Sequence, residues 1–173
     1  RQALPGSRSA GKYLYRTGRY RIVIQPDGEI RCMLVPLHDG RLLLPNAAVA
    51  EVIGYRDPEP LEHDAAWLQG KVSWHQREIP VIDFELMLGR PDLGAGIRQR
   101  IAVCYALRPD PAWPMLGLVA QGIPRLLRVS RAAIESAGAE KPGESPVQMT
   151  LSIAGEKLLV PDLEYLQAQL PVA

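Results

Sequence analysis

Phenylalanine occurs once in the 173 residues, as Phe84, and aromatic residues make up only 6% of the chain. Any core must therefore be filled mainly by Leu, Val, Ile and Ala. Cysteine is nearly as scarce. Cys32 and Cys104 lie far apart within apolar runs, which excludes a disulfide scaffold and suits two buried free thiols in a reducing compartment. No apolar run approaches the length of a membrane-crossing helix, and the chain shows no hydrophobic region of a secretory leader. Direct membrane insertion is therefore not expected. A dominant charge sign is missing too: the formal net charge is +1, which gives no general reason to expect nucleic acid or an acidic surface as partner.

The residues that carry chemistry are also missing from the patterns they would need. The three histidines, His38, His63 and His75, are spaced by 25 and 12 residues. None has a cysteine or second histidine three to five positions away, so no zinc template is met. Asp83 lacks the D-T-G or D-S-G setting of a paired-carboxylate protease, and Ser73 sits between Val72 and Trp74 where a nucleophile elbow needs glycines. The run Gly94-Ala95-Gly96-Ile97-Arg98-Gln99 lacks the third glycine of a dinucleotide loop and does not follow a strand. The expectation is no enzyme: no catalytic residue, no cofactor and no metal.

What is present is a chain of one domain, or two small ones sharing a core, with 47% apolar residues. Proline and glycine together number 31 and are scattered, as suits many short strands joined by turns. "RIVIQPDGEIRCMLVPL" reads as strand, Pro26-Asp27-Gly28 turn, strand, and Asp39-Gly40 is the strongest hairpin signal in the chain. Asn46 is expected to cap a short helical turn in "NAAVAEVIGY", Ser130 to start a short helix in "SRAAIESAG", and Asp162 to cap a closing helix over 162–170. "IAVCYAL" is apolar on both faces, the pattern of a strand buried on both sides. Pro80 implies an edge position or a bulge for its strand. A hairpin is expected around Gly155-Glu156.

Two places carry polar groups where apolar ones would be simpler. Glu51 lies between Ala50 and Val52, so its carboxylate must point outward or be paired. In "WLQGKVSWHQREIPVIDFELMLG", residues 67–89, the polar run His75-Gln76-Arg77-Glu78 interrupts two apolar segments with Trp67 and Trp74 nearby. Such a run is by default a solvated turn, but aromatics beside polar residues are frequent in protein-recognition surfaces. A faint internal echo links Leu42-Leu43-Leu44, Val49 and Val52 with Leu116-Gly117-Leu118, Ile123 and Leu126. It favours two small β-barrels over one sandwich.

The order of segments resembles the CheW-like family, the adaptor module of bacterial chemosensory arrays. The resemblance runs over 31–168 and rests on Asp39-Gly40-Arg41-Leu42-Leu43-Leu44-Pro45 with Val49-Ala50-Glu51-Val52, on 70–84 ("GKVSWHQREIPVIDF"), on 116–123 ("LGLVAQGI") and on 158–163 ("LLVPDL"). Ser73-Trp74-His75-Gln76 stands where the family has Asn-Leu-Arg-Gly, and Gln121 where it has aspartate. The chain thus looks like a diverged member, of the kind found in systems controlling pili and twitching motility.

The resemblance implies a mainly β fold of two five-stranded SH3-like β-barrel subdomains with a few short helices. The first would span about 31–92 and the second about 97–160, after a basic tail or extension at 1–30. It further implies a non-catalytic, cytoplasmic adaptor at membrane-associated receptor arrays, monomeric in isolation. Its partners would be the regulatory domain of a CheA-type histidine kinase and a methyl-accepting receptor, with no nucleic acid bound. Val49, Glu51, Val52, Gly70, Trp74, His75 and Gln76 fall at or beside positions tied to protein binding. The alternative is a small β-barrel nucleic-acid-binding module using the basic residues Arg1, Arg8, Lys12, Arg16, Arg19 and Arg21.

Overall fold

The computed structural model describes residues 28–108 and 112–172, and gives the backbone of two further strands, β1 (Tyr13–Arg16) and β2 (Arg21–Val23), which pair with each other. Most of the expected basic tail, and Pro26-Asp27 of the first turn, lie outside the described residues. The chain continues as β3 (Glu29–Pro36), β4 (Arg41–Pro45), β5 (Val49–Gly54), β6 (Leu68–Trp74), β7 (Arg77–Ile82) and helix α1 (Phe84–Met87). After the irregular linker come β8 (Arg100–Tyr105), β9 (Met115–Ala120), β10 (Arg125–Ser130), β11 (Ile134–Ala139), β12 (Val147–Ile153), β13 (Glu156–Pro161) and helix α2 (Leu163–Ala168).

The strands form a six-stranded sheet in the order β10-β3-β4-β13-β12-β11 and a five-stranded sheet in the order β5-β8-β9-β7-β6. The fold is mainly β, as expected, though one sheet has six strands instead of five. The sheets do not follow a division near residues 92–97. Each half of the chain gives one hairpin to each sheet: β3-β4 and β12-β13 go to the first, β6-β7 and β8-β9 to the second. The hairpins from the two halves meet through parallel pairs, β4 with β13 and β7 with β9. The echo between Leu42–Leu44 and Leu116–Leu118 matches this exchange, since β4 and β9 are the second strands of equivalent hairpins.

Only Arg131–Ala133 separate β10 from β11. A link of that length reaches at most about 14 Å, so the end of β10 and the start of β11 lie near each other, while the two strands form no ladder with one another. The strands β7, β8 and β9 serve two cores by alternation. Ile79, Val81, Ile101, Val103, Met115 and Val119 fill the interior of the five-stranded sheet together with Ile53 and Val72. Ile82, Ala102, Cys104, Leu116, Leu118 and Ala120 face the main core between the sheets, where Leu42, Leu44, Phe84, Leu158 and Leu163 also lie. The two-faced "IAVCYAL" run is thus a strand between two cores. Both cysteines are free and buried; burial pushes the Cys32 thiol up to about 11 and Cys104 to about 12.

Three local expectations change. Asn46 does not cap: Asn46–Ala48 is one 3-10 turn entered from Pro45 without a side-chain cap, and the chain then extends as β5. Ser130 starts no α-helix either; Arg131–Ala133 is a 3-10 turn and "IESAGA" is strand β11. Pro80 sits in β7, an inner strand by order, opposite Lys71 of β6. The parallel ladder to β9 holds Val81 and Ile82 and begins just after Pro80, which has no amide to donate to it. Asp162 does cap α2, its side chain accepting from Tyr165 N at 2.9 Å. Asp39-Gly40 does form the β3-β4 turn, with Leu37 N donating to Gly40 O.

Candidate functional site

Strands β5 and β6 are the two edges of the five-stranded sheet, and side chains join them across the rim of the barrel. Ile53 of β5 points into the barrel interior; Glu51, two residues earlier, lies on the same face at the rim. From the end of β6, Trp74 Nε1 donates to Glu51 Oε2 at 2.7 Å, and from the turn that follows, His75 Nε2 donates to the same oxygen at 3.0 Å. The indole and imidazole meet edge-on with ring centroids 4.5 Å apart. Farther along, Arg56 Nη1 donates to Ser73 O at 3.3 Å. Glu51 Oε1 has no protein partner among the described residues. The hydrogen bonds from His75 and then Trp74 hold the Glu51 carboxyl below the ordinary glutamate range.

The turn that presents His75 is unusual in its residues. His75 and Gln76 both have positive φ, 45° and 62°, as the two central residues of a type I′ hairpin require. That region ordinarily favours glycine or asparagine. Both side chains are exposed. Just behind the turn, Lys71 and Glu78 pair across β6 and β7.

Of the seven residues singled out from the sequence, the structure brings Glu51, Trp74 and His75 into contact, and Gln76 follows His75 in the turn. Val52 is half-buried on the opposite face of β5, and Val49 packs against the main core. Gly70 is buried and has a structural reason to be glycine. Its φ is +131°, and a Cβ there would lie 2.2 Å from Glu59 O, because Glu59 and Lys71 exchange backbone hydrogen bonds of 2.8 Å beside it. Trp67 is not part of the site: it packs on the main core and meets His63 edge-on at 5.4 Å. Arg56 was not singled out, and a lone arginine in a proline-rich, charged loop carries no signal that could have found it.

Glu85 is a second polar centre missed in the sequence. On α1 and almost fully buried, it accepts from His38 N at 2.9 Å, His38 Nδ1 at 2.9 Å, Asp39 N at 3.1 Å and Arg90 Nη1 at 3.2 Å. It thereby pins the β3-β4 turn and the start of the linker. Burial works against its charge, but the donors from His38, Asp39 and Arg90 overcome it and hold the carboxyl below the ordinary range. Among the described residues no cluster of His, Cys, Asp and Glu could hold a metal ion, and no helix is long and apolar enough to cross a membrane.

A family model described as the CheW-like domain matches residues 31–169. Among solved structures, the scaffolding protein TtCheW from Thermoanaerobacter tengcongensis is similar, with a TM-score of 0.67 at 16% identity, over 80% of this chain and 92% of that one. At that identity the likeness speaks for the fold. No curated protein matches the chain.

Proposed function

The chain belongs to the CheW-like domain family, and from that premise we propose that it is a non-catalytic adaptor of a chemosensory array, held in the cytoplasm, linking methyl-accepting receptors to the regulatory domain of a CheA-type histidine kinase. The observation that carries the reading is the rim of the five-stranded barrel, where Glu51 gathers Trp74 and His75. An adaptor needs a surface whose parts are fixed before the partner arrives, because every rotamer frozen on binding costs affinity. Here two sheet edges, an indole and an imidazole are held together by one carboxylate. Glu51 Oε1, without a partner among the described residues, and the exposed Gln76 are left for a partner's polar groups.

His75 stands where the family carries arginine. Imidazole cannot reproduce the bidentate guanidinium fork, so the partner surface facing it differs from one built to receive arginine. This favours a partner set particular to a diverged system, such as one controlling pili. The nucleic-acid alternative draws on basic residues that mostly lie outside the described residues, and no observation favours it.

The test is capture of the kinase regulatory domains and receptor tips of the source organism by the purified protein, repeated with Glu51→Arg and His75→Ala. Retention of a kinase domain or receptor tip by the wild type, with at least tenfold loss (about 1.4 kcal/mol) in Glu51→Arg, is expected. Binding that neither substitution touches would move the interface elsewhere. No binding to either class would overturn the adaptor reading.

A further inference from the structure

Strand β10 ends the order of the six-stranded sheet: it pairs with β3 over Arg125–Ser130, and among the described residues no strand pairs with its other side. A strand edge of this kind presents unmatched N–H and C=O groups that a further strand can complete. Two large apolar side chains stand out beside it, Leu126 at 67% exposure and Ile123 at 60%. Around them, Arg31, Arg125, Arg128 and Arg131 are all exposed.

Arg128 and Arg31 are direct cross-strand partners, and like charges so placed repel. Among the described residues the carboxylate ion-paired with this group is Glu29, whose Oε2 lies 3.7 Å from Arg128 Nη1 with both side chains more than half exposed. Arg31, Arg125 and Arg131 make no ion pair among the described residues. Charged residues on an edge also guard against aggregation, but a guarded edge does not leave leucine and isoleucine in solvent beside the guards. Positive charge without an ion pair, exposed apolar side chains and an unpaired strand edge coincide around β10.

We propose that the β10 edge captures an acidic, extended segment of a partner protein, which adds to the six-stranded sheet as a further strand. Leu126 and Arg128 lie two residues apart on one face. The incoming strand therefore sets a carboxylate against Arg128 and Arg31 and, two positions away, an apolar side chain against Leu126. Main-chain hydrogen bonds supply affinity and the alternating side chains supply selectivity. This surface lies on the other sheet from the Glu51–Trp74–His75 rim, so its failure and that of the adaptor reading are separate results.

The experiment is fluorescence anisotropy of the full chain with a labelled, acetylated peptide alternating glutamate and valine. Three companion probes are used: the same peptide N-methylated at alternate residues, a lysine-valine peptide, and a single-stranded oligonucleotide. Expected are binding of the acidic peptide that weakens with salt, loss of about tenfold in Arg128→Glu, a smaller loss in Leu126→Ser, and no binding of the N-methylated peptide. Arg125→Glu serves as a second variant, with melting curves to show that each is folded. Equal binding of the N-methylated peptide would mean charge attraction alone and would overturn strand addition. Indifference to both arginine substitutions, absence of acidic-peptide binding, or oligonucleotide binding with the same arginine dependence would overturn the proposal as well.

Discussion

The outer strands of the two sheets are joined in different ways. The outer strands of the six-stranded sheet, β10 and β11, are consecutive in the chain and joined by Arg131–Ala133. The outer strands of the five-stranded sheet, β5 and β6, are tied by exposed side chains: Trp74 and His75 on Glu51, and Arg56 on Ser73 O. A three-residue link holds whatever the pH or the company. Hydrogen bonds among exposed side chains yield to solvent, to protonation and to a competing partner. The join across the five-stranded rim is therefore the more easily altered of the two, and the join in the six-stranded sheet the more permanent.

If that contrast is sound, the five-stranded barrel should break most readily where its backbone is tightest. Gly70→Ala puts a Cβ against Glu59 O and forces an alanine to a φ of +131°. Strain and overpacking together predict a loss of about 3 kcal/mol, read from urea unfolding midpoints at unchanged slope. Gly138 on β11 is the control: nothing lies within 4 Å of its added Cβ and its φ is not in the left-handed region. Gly138→Ala is expected to stay within about 0.5 kcal/mol of wild type. Equal losses at both positions would contradict the contrast.

The next largest effect belongs to the joint between the parts. Glu85→Ala removes the acceptor of four donors from His38, Asp39 and Arg90, and a loss of about 3 kcal/mol is expected at neutral pH. Because the folded-state carboxyl titrates below the ordinary glutamate value, this stability is present above that value and fades as pH falls through the lower folded one. Asp83, the cap of α1, behaves oppositely. Burial raises its carboxyl despite the hydrogen bonds from Leu86 N and Glu85 N, so its ionised form costs stability above the folded value and that cost lifts on acidification. Asp83→Asn should leave neutral stability within about 1 kcal/mol and make the acid loss steeper, because the opposing titration is gone. A shallower acid limb in denaturation scans would refute the assignment.

Much of this was legible in the sequence where local pattern and burial coincide. The two-faced run 101–107 announced a strand between two cores, and Asp39-Gly40 and Asp162 declared a turn and a cap. Glu51 was marked because a carboxylate between apolar residues must point outward or be paired; it is paired, with partners 23 and 24 residues on. The errors arose where tertiary pairing overrides propensity. "AAIESAGA" is rich in helix formers, yet most of it extends as β11 because β12 offers a ladder. The exchange of hairpins between sheets could not be read at all, since alternation tells which face is buried and never which strand is adjacent. The same limit hid the reason for Gly70, which is imposed by Glu59 from a separate loop.

The smallest effect bears most directly on function. The two hairpin turns use the same backbone with different residues: His75-Gln76 at φ 45° and 62° between β6 and β7, and Ala154-Gly155 at 50° and 73° between β12 and β13. The second turn places glycine at the more extreme angle, as economy of strain requires. The first places glutamine there. An L residue held in this region costs about 1–2 kcal/mol, of which glycine's greater freedom in the unfolded chain takes back about half to one. Gln76→Gly should therefore raise stability by about 0.5 kcal/mol, and Gly155→Gln should lower it by a similar amount. If both side chains of the first turn serve only the fold, Gln76→Gly improves the protein in every assay. If the strain is retained for a partner, the same substitution stabilises the chain and weakens capture, and the opposite signs of those two readouts separate a binding turn from a merely tolerated one.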